Sequence, residues 1–432
     1  MGRLQRKRKR KWKKGVVEDG DSVCSKLVQW MGEKDCALPD NIRWAYFNDT
    51  GRGLFSTTYL QKDSLLIRLP KRLLITVHTV LQSCIGNWFC RADHSQAFSN
   101  QQVLAAFITW ERHLGHESRW DAYIRSLPRE YTTPLMLSGR EKAALPTYLR
   151  DGVHVQERMV VEAYKQLVST IGKRSLCEHC GKSLLADVFS FPSFQWAWNT
   201  VNTRAVYVKP TTSAVKLRDE NTLALAPFLD LFNHSCLTNT TVEETAEAYC
   251  LFSSGEWQPN SQVFISYGPH SNCKLYLEYG FVVRSNPHDV VPVTAEEVDQ
   301  VVNSICEVTS KTFCKARNEL IQQNRLTENL CFSNEGPSFT LQAYIFLRAA
   351  CGFDKNLFQQ KIFAYEFTEV ERDIINKIIL GLLCDKIEDY QQQVSSMSQL
   401  SPCSESFGLA RTLVKYHLEL LECIHKKLFM VK

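Results

Sequence analysis

Leu225-Ala-Pro-Phe-Leu-Asp230-Leu-Phe-Asn233-His234-Ser235 is the stretch from which the rest of the chain can be read. An apolar run closes on four polar side chains, Asp230, Asn233, His234 and Ser235, within six positions. Burying such groups costs about 1–3 kcal/mol each unless they are paired. The segment is therefore either a surface turn or the holder of something specific. Further on, Val263-Phe-Ile-Ser-Tyr267-Gly268 reads as a buried strand running into a Tyr-Gly stop. Upstream, Gly51-Arg52-Gly53-Leu54 opens another strand. Two glycines two apart let the backbone approach a ligand closely and present its amides. In isolation such a turn is an ordinary β-turn.

Working outward, the 432 residues suffice for two or three domains with a sizeable core. No run approaches the roughly 18 apolar residues of a membrane span. The basic N-terminus has no apolar stretch behind it, so no signal peptide is expected. Together these predict a soluble intracellular protein with no membrane partner. Nine of the positive charges fall between Arg3 and Lys14 with no acid among them, so the net +5 leaves the remainder at −4. Residues 1–20 are expected to be a disordered basic tail, a nuclear import signal or an arm for nucleic acid. Nucleus and cytoplasm are the expected locations.

The 16 cysteines are scattered and read as reduced core residues. Cys177-Glu-His-Cys180 could supply half of a zinc site. No second C-x-x-C or H-x-x-x-H lies nearby in sequence, so a plain surface turn is preferred and no metal is expected.

Periodicity places helices at 103–115, 120–127, 153–171 and 194–206, with strands at 54–60 and 64–69 paired to each other. A hairpin is expected over 240–254 and a short helix over 271–280. Beyond Pro287 the pattern is helical: 294–323, opened by the capping box Thr294-Ala-Glu-Glu297, then 339–351, 366–394 and 407–429.

Trp196-Ala-Trp-Asn-Thr-Val-Asn-Thr-Arg204-Ala-Val-Tyr207, the Asp230–Ser235 segment, Tyr267-Gly-Pro-His-Ser-Asn272 and Leu277-Glu-Tyr279-Gly-Phe-Val282 occur in that order. In this order they resemble the SET-domain methyltransferases, specifically the Rubisco-large-subunit-methyltransferase-like class, from about Trp44 onward. The resemblance implies an α+β fold. A β-rich SET domain would span 44–284 with a helical insert at about 96–190, and an all-α substrate-binding domain would span 285–432. It implies S-adenosylmethionine as cofactor, held by Gly51, Arg52, Gly53, Asn233, His234 and Tyr267. It implies Tyr267 and Tyr279 as catalytic residues, and Arg204, Asp230 and Tyr279 on the acceptor side. In that family the segment carrying Asn233 and His234 threads beneath a loop.

The chemistry is simple. A sulfonium methyl is already electrophilic, and the acceptor needs a lone pair. A free lysine, with a pKa near ~10.4, is mostly protonated at neutral pH. Desolvation lowers that pKa and the proton leaves to water. Alignment in a narrow apolar channel is required, more than a strong base. Tyr267 is therefore expected to orient rather than to act as a general base. The expected reaction is protein-lysine N-methylation of histone or non-histone proteins, by a monomer. Histidine is an alternative acceptor, since one relative in this class modifies actin histidine and a neutral imidazole needs less deprotonation. A non-catalytic reader would be expected to have a damaged site. The cysteine-rich zinc clusters of many histone-directed SET enzymes are not visible, which favours the Rubisco-methyltransferase-like class.

Overall fold

A computed structural model of the chain describes residues 22–90, 97–171, 175–210, 215–306, 314–350, 355–364, 366–401 and 403–429. The basic stretch at 1–14 lies outside them. The chain divides into two units, Met1–Leu135 with Gly152–Pro269, and Met136–Asp151 with His270–Lys432.

In the first unit a helix, Ser22–Glu33 (α1), precedes Ile42–Phe47 (β1). β1 folds back on Gly51–Ser56 (β2) in an antiparallel hairpin that pairs Ile42 with Ser56 and Phe47 with Gly51. Leu65–Pro70 (β3) buries Leu66, Ile67 and Leu69. The pairing expected between the 54–60 and 64–69 segments does not form. At 61–63 the chain crosses to another partner: Asp63 N donates to Ser253 O (2.7 Å) and Ser253 N to Ser64 O (2.8 Å). β2 instead finds β1 across the short turn at 48–50, a closure that turn residues favour.

Asn100–Leu114 (α2) is capped by Ser99 with Gln102 in a capping box and ends at Gly115, whose φ is 58°. Its burial extends beyond the expected stripe: Leu104, Ala105 and Ile108 are as buried as Val103, Ala106 and Phe107. Asp121–Ser126 (α3) follows, then Thr147–Ile171 (α4) and Phe191–Arg204 (α5). α5 starts with Pro192 in its first turn, where the missing N–H is no loss. It stops at Arg204, and Ala205–Tyr207 (β4) pairs antiparallel with Leu223–Leu225 (β5). Asn233–His234 (β6) pairs in parallel with Phe264–Ile265 (β9). Between them the expected hairpin forms from Thr241–Glu244 (β7) and Ala248–Phe252 (β8), and β8 also joins β3. One hydrophobic core runs from Leu27 and Leu54 through Phe107, Tyr123 and Phe194 to Phe232 and Ile265.

In the second unit a one-turn helix at Asn272–Lys274 runs into a π-turn, Leu275–Tyr279, closed by left-handed Gly280. Ala295–Ile305 (α6) carries the expected capping box of Thr294 and Glu297. The single helix expected over 294–323 is two, since α6 ends and Cys314–Gln323 (α7) begins separately. Phe339–Ala349 (α8), Lys355–Ala364 (α9), Glu369–Ser398 (α10) and Glu405–Phe429 (α11) complete the helices. α10 turns Ile378, Ile379, Leu382 and Leu383 inward, whereas Val370, in its first turn, is 70 % exposed. Val290–Pro292 (β10), Cys331–Ser333 (β11) and Gly336–Pro337 (β12) form a small antiparallel ladder beside them. Strands of two or three residues carry no legible periodicity. The fold as a whole is α+β.

Candidate active site

The parallel pair β6–β9 builds the site. It sets Asn233 against Phe264 and His234 against Ile265, and Ser235 N closes the pair on Ile265 O (2.9 Å). Tyr267 follows two residues beyond β9. Its backbone N–H donates to His234 Nδ1 (3.0 Å), so in the neutral imidazole the proton sits on Nε2. Its hydroxyl donates to Phe232 O (2.7 Å), and the two rings lie 5.1 Å apart at 37°. Phenol and imidazole, 33 positions apart in sequence, are thus joined through both backbone and ring.

The glycine turn meets the same segment. Asn233 Nδ2 donates to Arg52 O (3.1 Å) and more weakly to Thr50 O (3.5 Å). A Cβ at Gly53 would stand 2.6 Å from Asn233 Nδ2 and 2.6 Å from Gln262 Nε2. A larger residue there would have to push both amide side chains aside. Gly51 is required for a different reason: its φ is 67° and open space surrounds it. The Arg52 side chain turns the other way, its Nη1 3.6 Å from Cys24 Sγ on α1. Gln262 Nε2 donates to Thr50 Oγ1 (2.9 Å), tying the hairpin turn to the start of β9. Gln262 was missed in the sequence because a single polar residue after an apolar-poor loop carries no pattern.

Arg204 and Asp230 form a second cluster. Arg204 Nη1 lies 3.2 Å from Asp230 Oδ2 and donates to Asp230 O (3.0 Å). Their side chains are 17 % and 2 % exposed. Tyr123 OH donates to Asp230 Oδ2 (2.9 Å) from α3, and Tyr131 OH pairs with Thr200 Oγ1 (2.8 Å). Burial works against the Arg204 charge. Asp230 and the phenols of Tyr131, Tyr123 and Tyr267 more than offset it and hold the guanidinium above its ordinary pKa. Burial first, then the Asp230 carboxylate, pushes the Tyr123 phenol well above its usual range. Asp230 is therefore already neutralised within the fold. Tyr123 and Tyr131 were not singled out from the sequence. For Tyr123, set between Ala122 and Ile124 on α3, the available signal is that a buried hydroxyl needs a partner. Phe228, two residues before Asp230, takes a φ of 68°, a left-handed conformation costly for a bulky residue and characteristic of constrained sites.

Gly53, Asn233, His234 and Tyr267 are brought together, while Arg204 and Asp230 form a cluster of their own. Tyr279 belongs to the second unit. It stacks on His270 (6.0 Å, 25°), and burial, then Glu278, pushes its phenol up to about 12. Asn272, from the same motif, bonds Asp289 through its backbone N–H (2.9 Å) and its side chain (2.6 Å).

A glycine turn with a close backbone approach, an amide side chain and an imidazole of fixed tautomer all converge. These groups can hold a polar ligand. Comparison with known proteins bears on what that ligand is. The SET-domain family model matches residues 51–268. SET domain-containing protein 4 of Homo sapiens is 34 % identical over 347 residues, covering 79 % of this chain and 76 % of the relative. An actin-histidine N-methyltransferase of Danio rerio is 29 % identical over 281 residues, 65 % of this chain but 45 % of that protein. The solved SET domain of LSMT bound to lysine and AdoHcy superposes with a TM-score of 0.63 at 18 % identity, over 96 % of this chain and 92 % of that one. At that identity the likeness shows the fold.

Proposed function

The chain belongs to the SET-domain family, and from that premise we propose that it transfers a methyl group from S-adenosylmethionine to a lysine side chain of a protein. The observation that carries this reading is the tie between the Gly51–Gly53 turn and Asn233, with His234 and Tyr267 fixed beside it.

When bound, S-adenosylmethionine supplies an electrophilic sulfonium methyl. The backbone of Arg52 and Gly53, with Asn233 and His234, would hold it. Tyr267 has its backbone pinned to His234 and its hydroxyl to Phe232 O, so the phenol is an alignment post and not a mobile base. The acceptor amine must arrive neutral, and apolar surroundings favour that form. The Arg204–Asp230 pair stiffens the acceptor side while presenting little net charge, so a desolvated amine meets no repelling cation.

Lysine is preferred because a protein of the same fold has been solved with lysine bound. Histidine is the second reading, favoured by the actin-histidine N-methyltransferases among the relatives, although the chain spans less than half of their length. We place the enzyme in nucleus and cytoplasm, with the Arg3–Lys14 tail as import signal, histone tails among the substrates, and a monomeric state. The test is incubation of the full chain with methyl-labelled S-adenosylmethionine and a cell lysate, followed by mass spectrometry. Label on lysine supports the first reading and label on histidine the second. Binding of the cofactor with no label on any protein would leave a reader.

A further inference from the structure

The C-x-x-C turn acquires a third partner from far away in sequence. His113, in the last turn of α2, places its Nε2 3.4 Å from Cys177 Sγ. One ligand atom each from His113, Cys177 and Cys180 all lie within 4.8 Å of one another. The 3.4 Å between His113 Nε2 and Cys177 Sγ is about the edge of a tetrahedron of sulfur and nitrogen with metal bonds of about 2.0–2.3 Å, and the third atom, within 4.8 Å, needs to close by about 1 Å.

The turn is also shaped to point its sulfurs inward. Gly181 N donates back to Cys177 O (2.8 Å), and Gly181 takes a left-handed φ of 62°. Cys177 N donates to Ser183 O (2.9 Å), and Leu176 bridges Leu184, closing a small hairpin. Within it the Ser183 amide (3.4 Å) and the Lys182 amide are directed at Cys180 Sγ. Both amides face the sulfur and fix its orientation within the turn. Cys177 is fully buried, and Cys180 and His113 are half-buried. Trp110 packs against His113 (5.7 Å) and His179 (6.3 Å), and Glu117 reaches His179 (3.7 Å). A cavity of about 530 Å³ lined by Trp110, Leu114, Glu117, Glu178 and His179 lies beside the hairpin.

We propose that His113, Cys177 and Cys180 bind a zinc ion that clips the 175–184 hairpin to the end of α2. Soft sulfur with imidazole selects zinc over hard cations. Each thiol gives its proton to solvent as its metal bond forms, with no change of oxidation state. Three protein ligands leave one position of a tetrahedral ion for water. This site is separate from the methyl-transfer centre, so its test does not depend on that function.

The test is the metal content of the full chain, purified without chelator, and its cobalt spectrum. The expected result is one zinc per chain. Exchange for cobalt should give a thiolate-to-cobalt charge-transfer band and tetrahedral visible bands, and chelation should lower the Tm. Cys180→Ser, at the half-exposed sulfur, should weaken zinc by more than the roughly 10- to 100-fold typical of outer-shell changes, and His113→Gln should shift the cobalt bands. A chain that binds neither zinc nor cobalt overturns the proposal, whether its two cysteines count as free thiols or as a disulfide. So does zinc retained with unchanged affinity by Cys180→Ser and His113→Gln, which would place it elsewhere. The cobalt spectrum of the unaltered chain decides the matter even if a variant fails to fold.

Discussion

Around the Gly51–Gly53 turn three ties are neutral: Asn233 amide to Arg52 carbonyl, Gln262 amide to Thr50 hydroxyl, Tyr267 hydroxyl to Phe232 carbonyl. Around Asp230 the ties are ionic, a guanidinium and a carboxylate sealed among tyrosines. Neutral hydrogen bonds contribute about 0.5–1.5 kcal/mol each and can be exchanged for bonds to a ligand at little cost. A buried ion pair tolerates no such exchange, since removal of either member strands a charge. Exchanging a bond for one to a guest is therefore cheap on the neutral side and costly on the Arg204 side.

The largest effect should come from breaking the fixed side. Asp230→Asn leaves Arg204 charged and buried, and chemical denaturation should show a loss of about 3–5 kcal/mol. Arg204→Met combined with Asp230→Leu should recover most of it, which would separate the charge from the packing. On the neutral side, Gly53→Ala should cost about 1–3 kcal/mol, because the new methyl separates Asn233 from its carbonyl and displaces Gln262. The same denaturation measurement on Gly51→Ala should give about 1–2 kcal/mol from backbone strain alone, and Gly51→Asn less. Cofactor affinity should fall for Gly53→Ala and hold for Gly51→Ala, although the residues are neighbours.

Tyr267→Phe should lose about 0.5–1.5 kcal/mol of stability, one neutral bond, while methyl transfer collapses. A variant equally stable and equally active would deny the phenol its aligning role. The gentlest effect is a slope with pH and belongs to neither side. Glu141 is buried, which raises its pKa. The amides of Ser404 (2.7 Å) and Ser138 (2.9 Å), with their hydroxyls, more than offset this and lower it from 4.5 to about 2. A carboxylate depressed in the folded state adds stability above its unfolded pKa and loses it as pH falls through the folded one. The stability of the second unit should therefore decline between pH 4.5 and about 2, and Glu141→Gln should flatten that decline.

The sequence made the neutral side more legible than the ionic one. Asn233, His234 and Tyr267 are rare polar residues at the ends of apolar runs, and such ends announce themselves. The partners of Asp230 do not: Tyr123 sits 107 positions away on α3, a short helix of mixed polarity, and nothing local marks it. Strand pairing failed for a related reason. The 64–69 segment has the right period, but period does not name a partner, and β8 lies far downstream. Helices fared better because caps are local: Thr294 with Glu297, and Gly115 after α2, fall where they were expected. His113 lies 64 positions before Cys177, so a search for nearby ligands could not find it.

The hydrogen bonds between Asn233 and the glycine turn form the proposed cofactor cradle. Calorimetric titration of S-adenosylmethionine into the full chain and into Asn233→Ala tests this most directly. One site per chain is predicted, weakened at least about tenfold in the variant, as the loss of about 1.4 kcal/mol implies. No binding by the unaltered chain, or equal affinity in both, would contradict it.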